Sequence, residues 1–516
     1  MGVTQEGKGV PRISGNLRTG GAGLPHIEGQ IERLGGGQAR ARLAMAEYRA
    51  GSARLAVPRL SVEQDRSGAL AFAGTVQASG ALPGGEVTGL TVPVEGARDA
   101  HGRLALWPRC MRVTFATLAI ADLALDGPGL TLCPAAGGAI VRGDDRGLRL
   151  AVGTPALDMA GRLGGTPVRI ASGAAGYAAP GGLFVKALDV ALGPASSASH
   201  FRIADLKARL SGDPAGTFEG ADVRLAAVPL NLREAAGTWR YAAGRLSIAD
   251  AAFRLEDRER EPRFEPLWAE GATLVLAENR ITASADLREP KSRGDVARVA
   301  LVHDLATARG HADLRVPSLT FDRTLQPYQL TRQLLGVVAN VSGTVEGAGR
   351  IDWAGDRLRS TGRFRTAGLD LAAAFGPAKG IRGEVEFSDL LGLVTPPHQR
   401  LTIASLNPGI EALGGVMEFQ LRPGSIVAIE GATWPFLGGT IALRPTELRF
   451  GVAETRRFVI DIAALDAAHF VERMELANLA VTGSFDGTLP LVFDENGGRI
   501  EGGLLVSRPP GGNLSY

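Results

Sequence analysis

Val341-Ser342-Gly343-Thr344-Val345-Glu346-Gly347-Ala348-Gly349-Arg350-Ile351-Asp352-Trp353 decides the fold class. Its odd positions are apolar or glycine, and its even positions are mostly polar or charged. Successive side chains of an extended strand point to opposite faces, so a period of two sorts the two sets onto opposite faces. Past a turn at Gly355 the pattern returns, with Leu358 and Phe364 on one face and Arg357, Arg359, Arg363 and Arg365 on the other. Similar segments run nearly end to end. The sequence therefore predicts a mainly β protein, an elongated, curled antiparallel sheet of about 30 strands with a few short helices. One face of that sheet is apolar throughout and forms a hydrophobic groove.

A chain of 516 residues exceeds what one hydrophobic core sustains, yet no linker or low-complexity tract breaks it. That combination points to units that touch only their neighbours. Two groove segments are expected, 1–320 and 321–516. Glycine accounts for 70 residues, about twice ordinary usage. It has no three-residue period, which excludes collagen and favours turns and bulges. A net charge of +2 gives the chain no electrostatic footprint for nucleic acid. Only five of the 56 basic residues are lysine. The arginines fall on the polar phase, either as a solvated face whose stems cover apolar area or as contacts for anionic head groups at a rim.

Cys110 and Cys133 lie on strand-like segments about one hairpin apart. They read either as a disulfide, worth about 3 kcal/mol by loop closure, or as two buried thiols. No stretch reaches the length of apolar residues that a membrane-spanning helix needs. The first residues lack a charged-then-apolar leader, and both ends look like interrupted strand pattern. The chain is expected to be a piece of a longer protein.

The tetrad Ile-Ala-Asp-Leu occurs at 120–123 and 203–206, with variants at 248–251 and 476–479. Around the first copy the apolar parity shifts from Leu118 and Ile120 to Leu123 and Leu125, which reads as a bulge that bends the sheet. Turns are expected at Pro83-Gly84-Gly85, Asp126-Gly127-Pro128-Gly129, Asp213-Pro214 and Asn496-Gly497-Gly498. Helical spacing of Leu330, Leu334, Val337 and Val338 predicts a helix over 324–338, with Pro327 in its first turn. Asp466 is placed to cap a second helix carrying Phe470, Val471 and Met474 on one face.

Catalytic and metal motifs do not emerge. Gly2-x4-Gly7-Lys8 resembles a phosphate-binding loop but ends in Gly9 and has no room for a preceding strand. His303 and His311, near Asp304 and Asp313, lack any metal-ligand spacing, and no Gly-x-Ser-x-Gly elbow is present. The expectation is a protein that is not an enzyme and holds no cofactor or metal.

The C-terminal third carries a more specific pattern. Thr395-Pro396-Pro397 leads to Leu406-Asn407-Pro408-Gly409-Ile410, then Trp434-Pro435-Phe436-Leu437-Gly438-Gly439. Gly483 to Leu491 reads GSFDGTLPL, and the chain closes on Pro510-Gly511-Gly512-Asn513-Leu514-Ser515-Tyr516. In this order the motifs resemble the YdbH-like family of AsmA-type, bridge-like intermembrane phospholipid transport proteins. The resemblance covers about 340–516 well and the rest in style. It implies a periplasmic β-groove, an N-terminal inner-membrane anchor expected to lie outside this piece of the chain, and a small outer-membrane lipoprotein partner. The family's C-terminal region has also carried the label dicarboxylate transport, which no arginine cluster here supports.

Together these readings predict a lipid conduit between inner and outer membranes. Its expected floor comprises Val341, Val345, Ile351, Trp353, Leu358, Phe364, Met417, Phe419, Leu421, Phe485, Leu489, Leu491 and Phe493. A self-filled β-solenoid adhesin and an envelope assembly factor that pairs through its open sheet edge are the alternatives.

Overall fold

The computed structural model describes all residues except 1, 5–11, 83, 128, 136, 180, 225, 227–228, 336–337, 356, 374–375, 408–410, 450–454, 474, 476–477 and 495–496. Among the described residues 72% are in strands, so the protein is mainly β. There are 40 strands in this set, against the expected 30 or so, with one short α-helix and two 3-10 turns. The excess arises between 99 and 181, where the alternating pattern is cut into strands of three to eight residues. Of the four expected turns, Gly84, Gly127, Gly129, Asp213 and Pro214 lie between strands, whereas Gly85, Asp126, Gly497 and Gly498 already belong to the strands being joined; Pro83, Pro128 and Asn496 fall outside the described set, as do 5–8 of the rejected phosphate-loop match.

By its internal contacts the chain divides into two units, Met1–Val228 with Leu232–Ala243, and Pro229–Asn231 with Gly244–Tyr516. The 320/321 position expected to separate two segments falls inside the second unit.

The first unit begins as a simple meander of antiparallel strands from Arg12–Gly21 to Gly85–Arg98. The last of these then serves two partners. Its first four residues pair with Thr117–Ile120 and its last three with Leu104–Leu106. One track continues through Leu123–Asp126, Leu157–Leu163 and Thr166–Ser172. The other continues through Val141–Asp144, Gly147–Thr154 and Ala175–Ala179. Both tracks rejoin on Gly182–Leu192, one at 189–192 and the other at 183–185. Between them Met111–Val113 pairs with Leu130–Leu132. Extending that register by one step brings Cys110 opposite Cys133, and the two are joined in a disulfide.

The second unit is a continuous antiparallel meander from Arg245–Asp257 to Ser484–Asp494. Among the described residues no pairing joins its first strand to its last, so the sheet is not closed as a barrel. Pairing irregularities recur at one height in neighbouring strands: Val316/Leu319, Gly343/Val345 and Thr366/Leu369. A bulge bends its strand and sharpens the local twist, so adjacent bulges form a crease along the sheet.

Two local expectations need correction. The parity change at Ile120–Leu123 is a two-residue hairpin turn, with Ala121 at φ 49° and Ile120 paired to Leu123. A tight turn and a bulge both displace the apolar phase, and the partner strands decide between them. The same tetrad at Ile203–Leu206 lies inside an uninterrupted strand. The helix expected over 324–338 is two 3-10 turns, Pro327–Gln329 and Arg332–Leu334, followed by strand from Val338. Here tertiary anchors outweigh helical spacing. The Gln326 side chain donates to the Val341 carbonyl at 2.8 Å and accepts from its amide at 2.9 Å, while Leu325 and Leu330 pack into floor clusters. The second helix forms at Ala467–Arg473, with Asp466 Oδ1 accepting from the His469 amide at 2.9 Å; Met474 and Val337 lie outside the described residues.

Candidate functional site

Register settles which face each floor candidate occupies, because directly paired residues of adjacent strands share a face. Gly347 faces Phe364, Ile351 faces Ser360 and Trp353 faces Leu358. Phe364 in turn faces Val385, and Gly383 faces Leu401, which faces Met417. Phe419 and Leu421 continue to Ile429 and Val427. At the far end Phe458 faces Leu491, Ile460 faces Leu489 and Leu465 faces Phe485. All thirteen candidates lie on one face of the second unit's sheet.

They are not equally exposed. Val341, at 2% exposure, is packed against Phe321 and Leu325, and Phe419, at 6%, is packed against Val427 and Ile429. Leu358 is 40% exposed, and most of the others are half-buried. Phe364 meets Phe387 edge-on at 5.8 Å, Phe493 meets Phe458 at 5.6 Å, and Phe485 meets Phe470 of the helix at 5.8 Å. Trp353 donates its indole N–H to His303 Nδ1 at 3.0 Å. Burial holds the His303 imidazole below the ordinary histidine range, against a backbone hydrogen bond to Arg309 and the charge of Asp304. The ring is neutral and presents a lone pair to the indole.

Among the described residues this face is covered in part, by Leu325 and Leu330 beside the 3-10 turns, by Phe470 of the short helix and by Leu390. An antiparallel sheet ordinarily packs its apolar side on a core. Here the apolar side is left largely half-open.

The opposite face carries arginines, several of which are paired across strands. Arg365 meets Glu346 at 2.8 Å, Arg350 meets Asp313 at 2.9 Å, Arg298 meets Asp286 at 2.6 Å and Arg444 meets Asp461 at 2.7 Å. Arg363 lies between Glu384 and Glu386 at 3.3 and 3.5 Å. Each exposed pair contributes little stability, but together they keep that face hydrated and its charge balanced.

Opposite ends of the strands approach each other over the apolar face. Glu259 and Arg263 belong to the connection after Arg245–Asp257, at one end of the strands. Leu358, Ser360 and Asp389 belong to the other end. All five line one cavity of about 320 Å³. Arg263 is held there by Asp257, whose side chain is fully shielded and accepts from Arg263 Nε at 2.7 Å and Nη2 at 2.9 Å.

Sequence reasoning missed the 388–395 connection, which has no periodicity, and the purpose of Gly349 and Gly362. These two glycines face each other on the apolar side, and a Cβ on Gly349 would lie 2.5 Å from Leu390 Cδ2. The available signal was a pair of glycines at floor positions of adjacent long strands. Among the described residues no group of three His, Cys, Asp or Glu could hold a metal ion, and no helix is long and apolar enough to cross a membrane.

The family model described as Intermembrane phospholipid transport protein YdbH matches residues 5–516. No curated protein matches the chain. The chain belongs to the YdbH-like family, and the likeness extends well beyond the C-terminal motifs to nearly its whole length.

Proposed function

We propose, from this membership in an intermembrane phospholipid transport family, that the chain is a non-enzymatic conduit whose apolar face carries phospholipid acyl chains between inner and outer membranes. The observation that supports it is the largely half-open apolar face holding Val345, Ile351, Trp353, Leu358, Phe364 and their counterparts near the C-terminus, with Val341 buried at its edge. Acyl chains laid on that face leave water, at about 0.8 kcal/mol per buried methylene, while head groups stay at the strand ends. Shallow, repeated apolar contacts let a lipid shift along the face without a deep energy well. The working site is the periplasm, with an inner-membrane anchor at the N-terminal side and a small outer-membrane lipoprotein at the far end.

Native mass spectrometry with lipid extraction tests this on the chain purified from bacterial membranes in mild detergent. Several phospholipids per chain are expected, lost in Ile351→Asp and Phe364→Asp and retained in Arg365→Ala on the opposite face. A folded, lipid-free wild-type chain would overturn the reading.

A further inference from the structure

The 388–395 connection lies on the apolar face and is pinned at both ends. Ser360 Oγ donates to Asp389 Oδ1 at 2.5 Å and accepts from the Leu391 amide at 3.0 Å. At the other end the Thr395 amide donates to the Leu421 carbonyl at 3.0 Å, and Thr395 Oγ1 accepts from the Leu421 amide at 2.9 Å. Inside the first pin, between Asp389 and Leu391, Leu390 reaches over the facing pair Gly349 and Gly362, where an added Cβ would come within 2.5 and 3.2 Å of its Cδ2. Neither glycine has a left-handed backbone, so neither serves a turn; both are small to make room. Ser360, at 3% exposure in an otherwise apolar row, has the same explanation, since its hydroxyl holds this strap.

The seat under Leu390 lies on the same face as Ile351 and Phe364 and between them along the strand pair. A depression that accepts an isobutyl group without any polar partner accepts a polymethylene chain equally well. We infer that Gly349 and Gly362 form an acyl-chain subsite for which Leu390 is the built-in competitor. A phospholipid acyl chain entering the seat displaces Leu390 and lifts the strap from Ser360; in its absence the strap caps the seat. This rests on the conduit reading and adds to it a defined subsite and an internal ligand.

Photolabelling separates the two ideas. The full chain is equilibrated with vesicles of phosphatidylethanolamine carrying a diazirine on one acyl chain, irradiated, digested and mapped. Label on the 345–365 region is taken relative to label on the Ile426–Phe436 strand. Leu390→Ala removes the competitor and is expected to raise that ratio at least about threefold. Ser360→Ala, which loosens the strap while leaving Leu390 intact, is expected to raise it by less. An unchanged or lower ratio in both variants, with label present elsewhere, overturns the subsite and leaves the conduit standing. Label nowhere on the wild-type chain or either variant overturns both.

Discussion

Replacing Cys110 and Cys133 together by alanine removes the covalent neck of the excursion that carries Thr117–Ile120 and Leu123–Asp126 into their track. The bridge spans a sequence separation of 23 residues. Loop-closure entropy for that length amounts to about 3.4 kcal/mol at room temperature. Because the closed loop is this excursion, the loss falls on its local opening and not on the distant meander. At 1.36 kcal/mol per decade, amide protection in 117–126 is expected to drop by up to about 300-fold. Native-state hydrogen exchange with mass spectrometric readout measures it, with Val338–Ala354 in the second unit as the internal reference. A drop confined to 117–126 and its partner Leu157–Leu163 supports the reasoning. Unchanged protection there, or an equal loss across both units, would refute it.

Four further predictions concern the second unit. Gly415→Ala puts a Cβ 2.0 Å from Trp434 Nε1 in a buried cluster, and overpacking of this kind is expected to cost about 1–3 kcal/mol in a urea titration. Arg263→Ala removes the two guanidinium hydrogen bonds to Asp257 and leaves it the amides of Arg263 and Glu259, at about 1–3 kcal/mol by the same assay. Burial raises the Asp257 carboxyl, but the hydrogen bonds from Arg263 and from the Glu259 amide outweigh it and hold the group below the ordinary range. Its contribution is therefore complete above about pH 4 and is lost as pH falls further, which thermal melts between pH 6 and 3 should register. His303 acts in the same sense at a higher pH, being neutral when folded and more readily protonated when unfolded. Stability from the Trp353–His303 contact is intact above about pH 6.5 and declines below it, visible as a change in tryptophan fluorescence that His303→Gln abolishes.

The faces were legible in the sequence because a period of two is a purely local property. Val345, Ile351 and Phe364 could be placed on one side, and Arg363 and Arg365 on the other, without knowing any partner strand. What the alternation could not carry is anything set by the neighbour. Ile-Ala-Asp-Leu turns the chain at 120–123 and continues a single strand at 203–206, since pairing geometry outside the tetrad decides. Gln326 replaces a strand partner for Val341, which no helical count anticipates. Gly349 looked like one more small residue in an apolar row; its purpose appears only once Leu390 is seen above it. The fork between Gly85–Arg98 and Gly182–Leu192 was invisible for the same reason, because each of its short strands has an ordinary alternating pattern.

That fork also sets an order of events for a nascent chain. Nearly everywhere in the second unit a strand needs only its immediate successor, so hairpins can zip one after another as they emerge, at low contact order. The 85–192 stretch cannot proceed in this way. Residues 85–88 wait for 117–120, residues 123–126 wait for 160–163, and both tracks wait for a single strand ending at Leu192. About a hundred residues must therefore be present before this block closes, which makes it the slow, cooperative step in an otherwise stepwise assembly.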